Sequence, residues 1–182
     1  MMMSSYFSSA MHQRLASRAE NWVDFLRREV DLSSPPADLF SIARLRRIGF
    51  LGLRLMVPRG MLLPVAGGYE VYIRSSASRD IDISCNEKEG ELTPRQRFTL
   101  AHEIAHTLYF HSSNTVPVPD PSISNELLLE DICNRTAGQI LIPTHLLKRE
   151  ISGHSSIDPT LVLSIARACF INRFGLTIDT YL

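Results

Sequence analysis

The stretch Arg97-Phe98-Thr99-Leu100-Ala101-His102-Glu103-Ile104-Ala105-His106 constrains this chain more than any other. It contains H-E-x-x-H among apolar residues. On a helix, positions four apart share a face, so His102 and His106 point the same way and their imidazoles can hold one metal ion. Glu103 is one step round the helix, where it can reach a water on that ion without being a ligand. Two His ligands and a Glu general base point to a metal-dependent hydrolase.

The motif has chemical meaning only on a helix, and its surroundings predict one. Thr93 can cap the start, Pro94 fits the first helical position, and Gln96 completes a capping box. Phe98, Ala101, Ala105 and Leu108 repeat at helical spacing, which predicts a helix over Pro94 to Phe110. The plainer alternative is an amphipathic helix with two surface histidines.

A hydrolytic site of this kind takes a third protein ligand and leaves a fourth position open for water. His111 comes one residue too early for the three-histidine extension H-E-x-x-H-x-x-G-x-x-H, and no glycine turns the chain before it. Downstream, Leu129, Ile132, Cys133, Thr136, Ala137 and Ile140 form an apolar stripe and predict a second helix. Glu130 and Asn134 lie four apart on one face of it. Glu130 there can bind the metal and Asn134 can orient a ligand from behind. Glu126 and Asp131 are rival carboxylates that spacing alone does not exclude.

Two blocks, R-x-x-L-A-H-E-I-A-H (Arg97 to His106) and E-x-x-C-N-x-x-A-x-x-I-L-I-P (Glu130 to Pro143), together with P-x-D-L-F-x-I-A-R (Pro36 to Arg44), resemble the ImmA/IrrE family of small zincin-type metallopeptidases. The resemblance covers roughly 36–143. It implies a zincin-like core, a zinc ion (manganese or iron as alternatives) and Glu130 as the third ligand. It also implies site-specific cleavage of a helix-turn-helix transcriptional repressor, often within bacterial mobile elements or stress regulons. One departure is Thr136, where the family usually carries a large apolar residue.

The fold class that follows is α+β. A small, twisted, mostly antiparallel sheet packs on the H-E-x-x-H helix and the second ligand helix, with an N-terminal helix and a C-terminal helical segment added. The expected divisions are an extension over 1–34, the metallopeptidase core over 35–151 and a C-terminal segment over 152–182. Residues 1 to about 9 are expected to be disordered. Leu15, Ala19, Trp22 and Leu26 predict a helix over Met11 to Val30, and Pro36 to Arg47 predicts a short helix closed by Gly49. Alternation predicts strands near 51–57, 61–65 (interrupted by Pro64), 69–74 and 81–85, with a turn at Gly67-Gly68. The proline-rich stretch 112–124 joins the two ligand helices. The end of the chain outlines a helix-turn-helix with its second helix cut short, and packing on the core is its expected role.

With 19 basic and 19 acidic residues the formal net charge is zero, so no global attraction to nucleic acid or membrane follows. Arg44, Arg46, Arg47 and Arg54 form a local basic cluster, expected to be a solvated face. Cys85, Cys133 and Cys169 lack C-x-x-C spacing and suggest neither a disulfide framework nor a thiolate zinc site. Reduced cysteines, no apolar run of membrane-spanning length and no signal-like segment over 1–10 together predict a cytoplasmic protein.

The mechanism expected is peptide hydrolysis, with His102, His106 and Glu130 as ligands and Glu103 as base. Tyr109, Arg97 and His111 are the candidates for stabilising the oxyanion, and the strand Ile81 to Asn86 (Ile81, Ile83, Cys85) is the candidate for pairing with an extended substrate. The rival from another class is a non-catalytic, metal-binding regulator that acts by binding a repressor. The presence of Glu103, which only chemistry requires, favours the enzyme.

Overall fold

Apolar residues at helical spacing start the chain, and a computed structural model shows what they pack against. It describes residues 3–30, 37–75, 80–85, 92–111, 115–123, 125–152, 160, 161 and 164. Helix α1 spans Met3–Glu29. It buries Leu15, Ala19, Trp22, Val23 and Leu26 along one stripe. The helix starts earlier than Met11 because no Gly or Pro breaks the sequence before Glu29, and extending a packed helix costs little once it is nucleated. Its apolar stripe belongs to the same buried cluster as the rest of the chain.

Helix α2, Leu39–Leu45, is capped by Asp38, whose carboxylate accepts from the Ser41 amide at 3.1 Å and the Ser41 hydroxyl at 2.7 Å. The chain turns out of it at Arg47, not at Gly49. Arg47 takes the left-handed conformation (φ 57), and Gly49 lies within the following strand. The reason is a close approach: the Arg47 carbonyl accepts from the Tyr69 amide at 3.0 Å and presses on Gly68, where a Cβ would overlap it.

Strands β1 (Ile48–Arg54), β2 (Gly60–Val65), β3 (Gly68–Arg74) and β4 (Ile81–Ser84) form one sheet in the order β2-β3-β1-β4. The β2–β3 and β1–β4 pairs are antiparallel, and the central β1–β3 pair is parallel. Leu51, Leu53, Val71 and Ile73 face inward and are buried, whereas Arg54 on the outer face pairs with Asp82 and lies over the Phe50 and Tyr72 rings.

Pro64 does not interrupt β2. The Arg74 amide donates to the Arg59 carbonyl at 2.9 Å. Antiparallel pairing alternates from there, so Met61, Leu63 and Val65 bond to β3 while Gly60, Leu62 and Pro64 turn their backbone groups to the open edge. Proline's missing N–H therefore costs no ladder bond.

Helix α3, Pro94–His106, begins with the expected Thr93–Gln96 capping box and buries Leu100, Ala101, Ile104 and Ala105. It stops four residues before Phe110. The chain tightens into a 3₁₀ turn over Thr107–Tyr109, and Phe110–His111 (β5) pairs with Val118–Pro119 (β6). Arg46 ties down this turn, donating from Nε to Thr107 Oγ1 at 2.8 Å and from Nη2 to the Thr107 carbonyl at 2.7 Å.

Helix α4, Glu126–Leu141, is capped by Asn125 and buries Ile132, Cys133, Thr136, Ala137, Ile140 and Leu141. Thr136 sits where a large apolar residue was expected. Its hydroxyl donates to the Ile132 carbonyl at 2.8 Å, so the buried polar group is satisfied. A short helix α5 follows over Thr144–Ser152. The helix-turn-helix outline from Pro159 onward, and Cys169 with it, lies outside the described residues except for isolated positions. Among the described residues no helix is long and apolar enough to cross a membrane.

The edge geometry of β2 makes a prediction that unfolding in urea can check. Pro64→Ala should change stability by less than about 1 kcal/mol, because no ladder bond is gained. Met61→Pro removes a bond to β3 and should cost about 3 kcal/mol or more.

Candidate metal centre

Helices α3 and α4 pack against each other, and small buried residues on both (Ala101, Ala105, Cys133 and Ala137) let them approach closely. That approach brings together His102, His106 and Glu130. His102 Nε2 and His106 Nε2 are 3.0 Å apart. Each lies 3.2 Å from one oxygen of Glu130, His102 from Oε2 and His106 from Oε1. The edge of a tetrahedron with metal–ligand bonds of about 2.0–2.1 Å is about 3.3 Å. The two imidazole nitrogens, and each of them with its own carboxylate oxygen, therefore stand near that spacing, and one ligand atom from each residue can be chosen with all three within 4.8 Å of one another, Glu130 being on the exposed side.

The protonation states suit a cation. Burial and then the neighbouring His102 push the His106 imidazole down to about 4 despite the opposing pull of Glu130, so it is neutral at pH 7, as a ligand must be. Three donors so close, one of them anionic, would otherwise be a poor use of partly buried space.

Glu103 follows His102 on α3 but faces differently. It is buried, and burial together with the Glu130 charge raises its carboxyl to about 7. That is the range in which a carboxylate can both take and return a proton at neutral pH. Its neighbour is a residue that spacing arguments did not single out. Gly60, the first residue of β2, lies against Glu103, and a Cβ there would land inside the carboxylate and 2.6 Å from Thr99 Cγ2. Glycine at 60 thus lets the edge strand close on Glu103. The available signal was a glycine opening a short strand, which by itself reads as a turn residue.

The other predicted residues are not brought to the centre. Asn134 is exposed and makes no bond to His102, His106 or Glu130 among the described residues, and His102 Nδ1 is buried without a partner. Four-residue spacing put Asn134 on the face of Glu130, but that side chain points to solvent. Tyr109 is buried and donates to the Leu15 carbonyl of α1 at 3.3 Å. Arg97 is buried and donates from Nη2 to the Ala37 carbonyl at 2.6 Å. His111 lies on β5 with Asp120 at 3.6 Å. All three oxyanion candidates are engaged elsewhere, Tyr109 and Arg97 as braces for the core. Glu126 opens α4 and Asp131 pairs with Arg135 at 3.0 Å, so of the three rival carboxylates Glu130 is the one at the histidines.

The substrate-strand expectation also changes place. β4, with Ile81 and Ile83, is an edge strand, and Cys85 just beyond it is buried. However, β3 and β1 separate it from the edge that touches Glu103, which is β2. Sequence order placed β4 next to α3; sheet order placed β2 there.

Residues 88–167, somewhat less than half of the chain, match the family model described as the IrrE N-terminal-like domain, a peptidase family. No curated protein and no solved structure matches the chain.

Replacing Gly60 by Ala should displace the Glu103 carboxylate and destabilise the fold by about 1–3 kcal/mol. In a Glu103→Ala background the same replacement should cost measurably less, because one of the two clashing groups is gone. Denaturant unfolding of the four proteins checks this, and an unchanged cost would remove Glu103 from the account.

Proposed function

Because residues 88–167 carry an IrrE N-terminal-like peptidase domain, we propose that the protein is a zinc-dependent peptidase that cleaves a helix-turn-helix transcriptional repressor in the cytoplasm at a defined site. The observation that carries the reading is the meeting of His102, His106 and Glu130 with ligand atoms within 4.8 Å of one another, and a buried Glu103 beside them. Two imidazoles and a carboxylate suit zinc and also accept manganese or iron. The repressor as substrate class rests on the family resemblance alone.

In this reading His102 and His106 present their Nε2 atoms and Glu130 presents its carboxylate. The ion, when bound, supplies Lewis acidity that polarises the scissile carbonyl and acidifies water. Glu103 accepts the proton of the attacking water at a carboxylate oxygen. It then delivers that proton to the departing amine nitrogen as the C–N bond breaks. Gly60 packs against the carboxylate, and the burial of Glu103 limits its contact with bulk water.

The substrate segment lies extended along β2. The backbone groups of Gly60 and Leu62 and the carbonyl of Pro64 are free of β3, and the strand runs past Glu103. This replaces β4 as the pairing edge. Main-chain pairing gives such a segment its register, and the exposed Met61 and Leu63 on the outer face bound one side of the track.

The test is Glu103→Gln, made in cells lacking the wild-type protein. It should retain the metal, trap its protein substrate in a pull-down and lose cleavage by about 10²–10⁴-fold. Wild-type protein added to the trapped partner should yield two fragments with a single new N-terminus. Cleavage by Glu103→Gln at the wild-type rate would refute the assignment of the base.

A further inference from the structure

Where α2 ends, the turn at Arg47 and the β2–β3 hairpin line a half-open cavity of about 210 Å³, whose walls include Arg46, Arg47, Gly67, Gly68, Tyr69 and Pro117 beside Leu45. It shares none of these residues with the metal centre. Its polar side chains are two guanidiniums and one phenol, and no carboxylate lines it.

Each of the three has unspent donor capacity. Arg46 is largely desolvated. It uses Nε and Nη2 on Thr107, its guanidinium stands 5.9 Å over the Trp22 ring, and its charged neighbours Arg18 and Arg47 are cations. Among the described residues it has no carboxylate partner. The Arg47 side chain makes no hydrogen bond or ion pair among the described residues. Its backbone is fixed, held at φ 57 with the carbonyl on the Tyr69 amide. Tyr69 is 3% exposed, and its buried hydroxyl has no partner among the described residues. A buried hydroxyl without a partner is costly, and a desolvated guanidinium without a counter-ion is more so.

An occupant that removes both costs and also engages the exposed Arg47 guanidinium must accept hydrogen bonds, carry negative charge and fit a small cavity. We propose that this cavity is a binding site for a compact oxyanion of the phosphate class, held by Arg46 and Arg47 with the Tyr69 hydroxyl. Arginine's planar fork suits such an anion, and the left-handed backbone at Arg47 is the kind of strained position that functional sites retain. The same chemistry is offered by free inorganic phosphate and by a phosphoryl group carried on a protein side chain. Because Arg46 also holds Thr107, the residue after His106, an occupied cavity would brace the end of the metal helix.

Calorimetric titration of the full chain at constant ionic strength tests the site, with inorganic phosphate and O-phosphoserine as separate probes. The informative variants are Arg47→Asn, which removes the guanidinium while asparagine tolerates the left-handed backbone, and Tyr69→Phe. We expect saturable binding of at least one probe, weakened more than about tenfold in Arg47→Asn and less strongly in Tyr69→Phe, with metal content unchanged in both variants. Tighter binding of O-phosphoserine would identify a phosphorylated partner as the source, and binding of inorganic phosphate alone would identify the free ion. The proposal is overturned if neither probe saturates the wild type, or if Arg47→Asn binds as the wild type does. Neither result requires catalysis, so the site can fail while the peptidase reading stands.

Discussion

Everything at the candidate site depends on how closely α3 and α4 approach. The ligands come from two helices, and an imidazole and a carboxylate on separate helices meet at 3.2 Å only if the backbones are near. Both helices bury small residues, Ala101 and Ala105 on α3 and Cys133 and Ala137 on α4, which suits a close approach. The surrounding elements support the pair. Arg97 anchors the early part of α3 to Ala37, Arg46 anchors its end through Thr107, and α1 packs on α4.

The electrostatics of the centre make sense around a cation. A buried Glu103, a pair of imidazoles and the Glu130 carboxylate lie within one small volume. Burial and the second carboxylate hold Glu103 near neutrality, which is unfavourable for a structural ion pair and favourable for a group that exchanges protons. The edge strand adds a geometric constraint. By starting with glycine, β2 reaches the Glu103 carboxylate without displacing it, which puts the strand edge beside the candidate site.

The part of the site that lies on single helices was legible in the sequence. Spacing placed His102, Glu103 and His106 on α3, the capping box marked its start, and the second block supplied Glu130. What spacing cannot report is which way a side chain turns once it has neighbours. Asn134 shares a face with Glu130 yet faces solvent, and Tyr109 and Arg97 are near the motif in sequence but serve the core. Sheet order was the other unreadable quantity. The parallel β1–β3 pair sends β2 to one edge and β4 to the other, so the strand that meets Glu103 is not the one preceding α3. Gly60 and the Arg47 turn have the same origin, since both answer to close contacts between segments distant in sequence.

The central claim is that three side chains hold one ion. Elemental analysis of protein purified without chelator or a histidine tag, beside Glu130→Ala prepared identically, tests it most directly. The account predicts about one divalent ion per wild-type chain and its loss in the variant. Equal metal in both proteins, or a wild type that takes up none on titration, would contradict it.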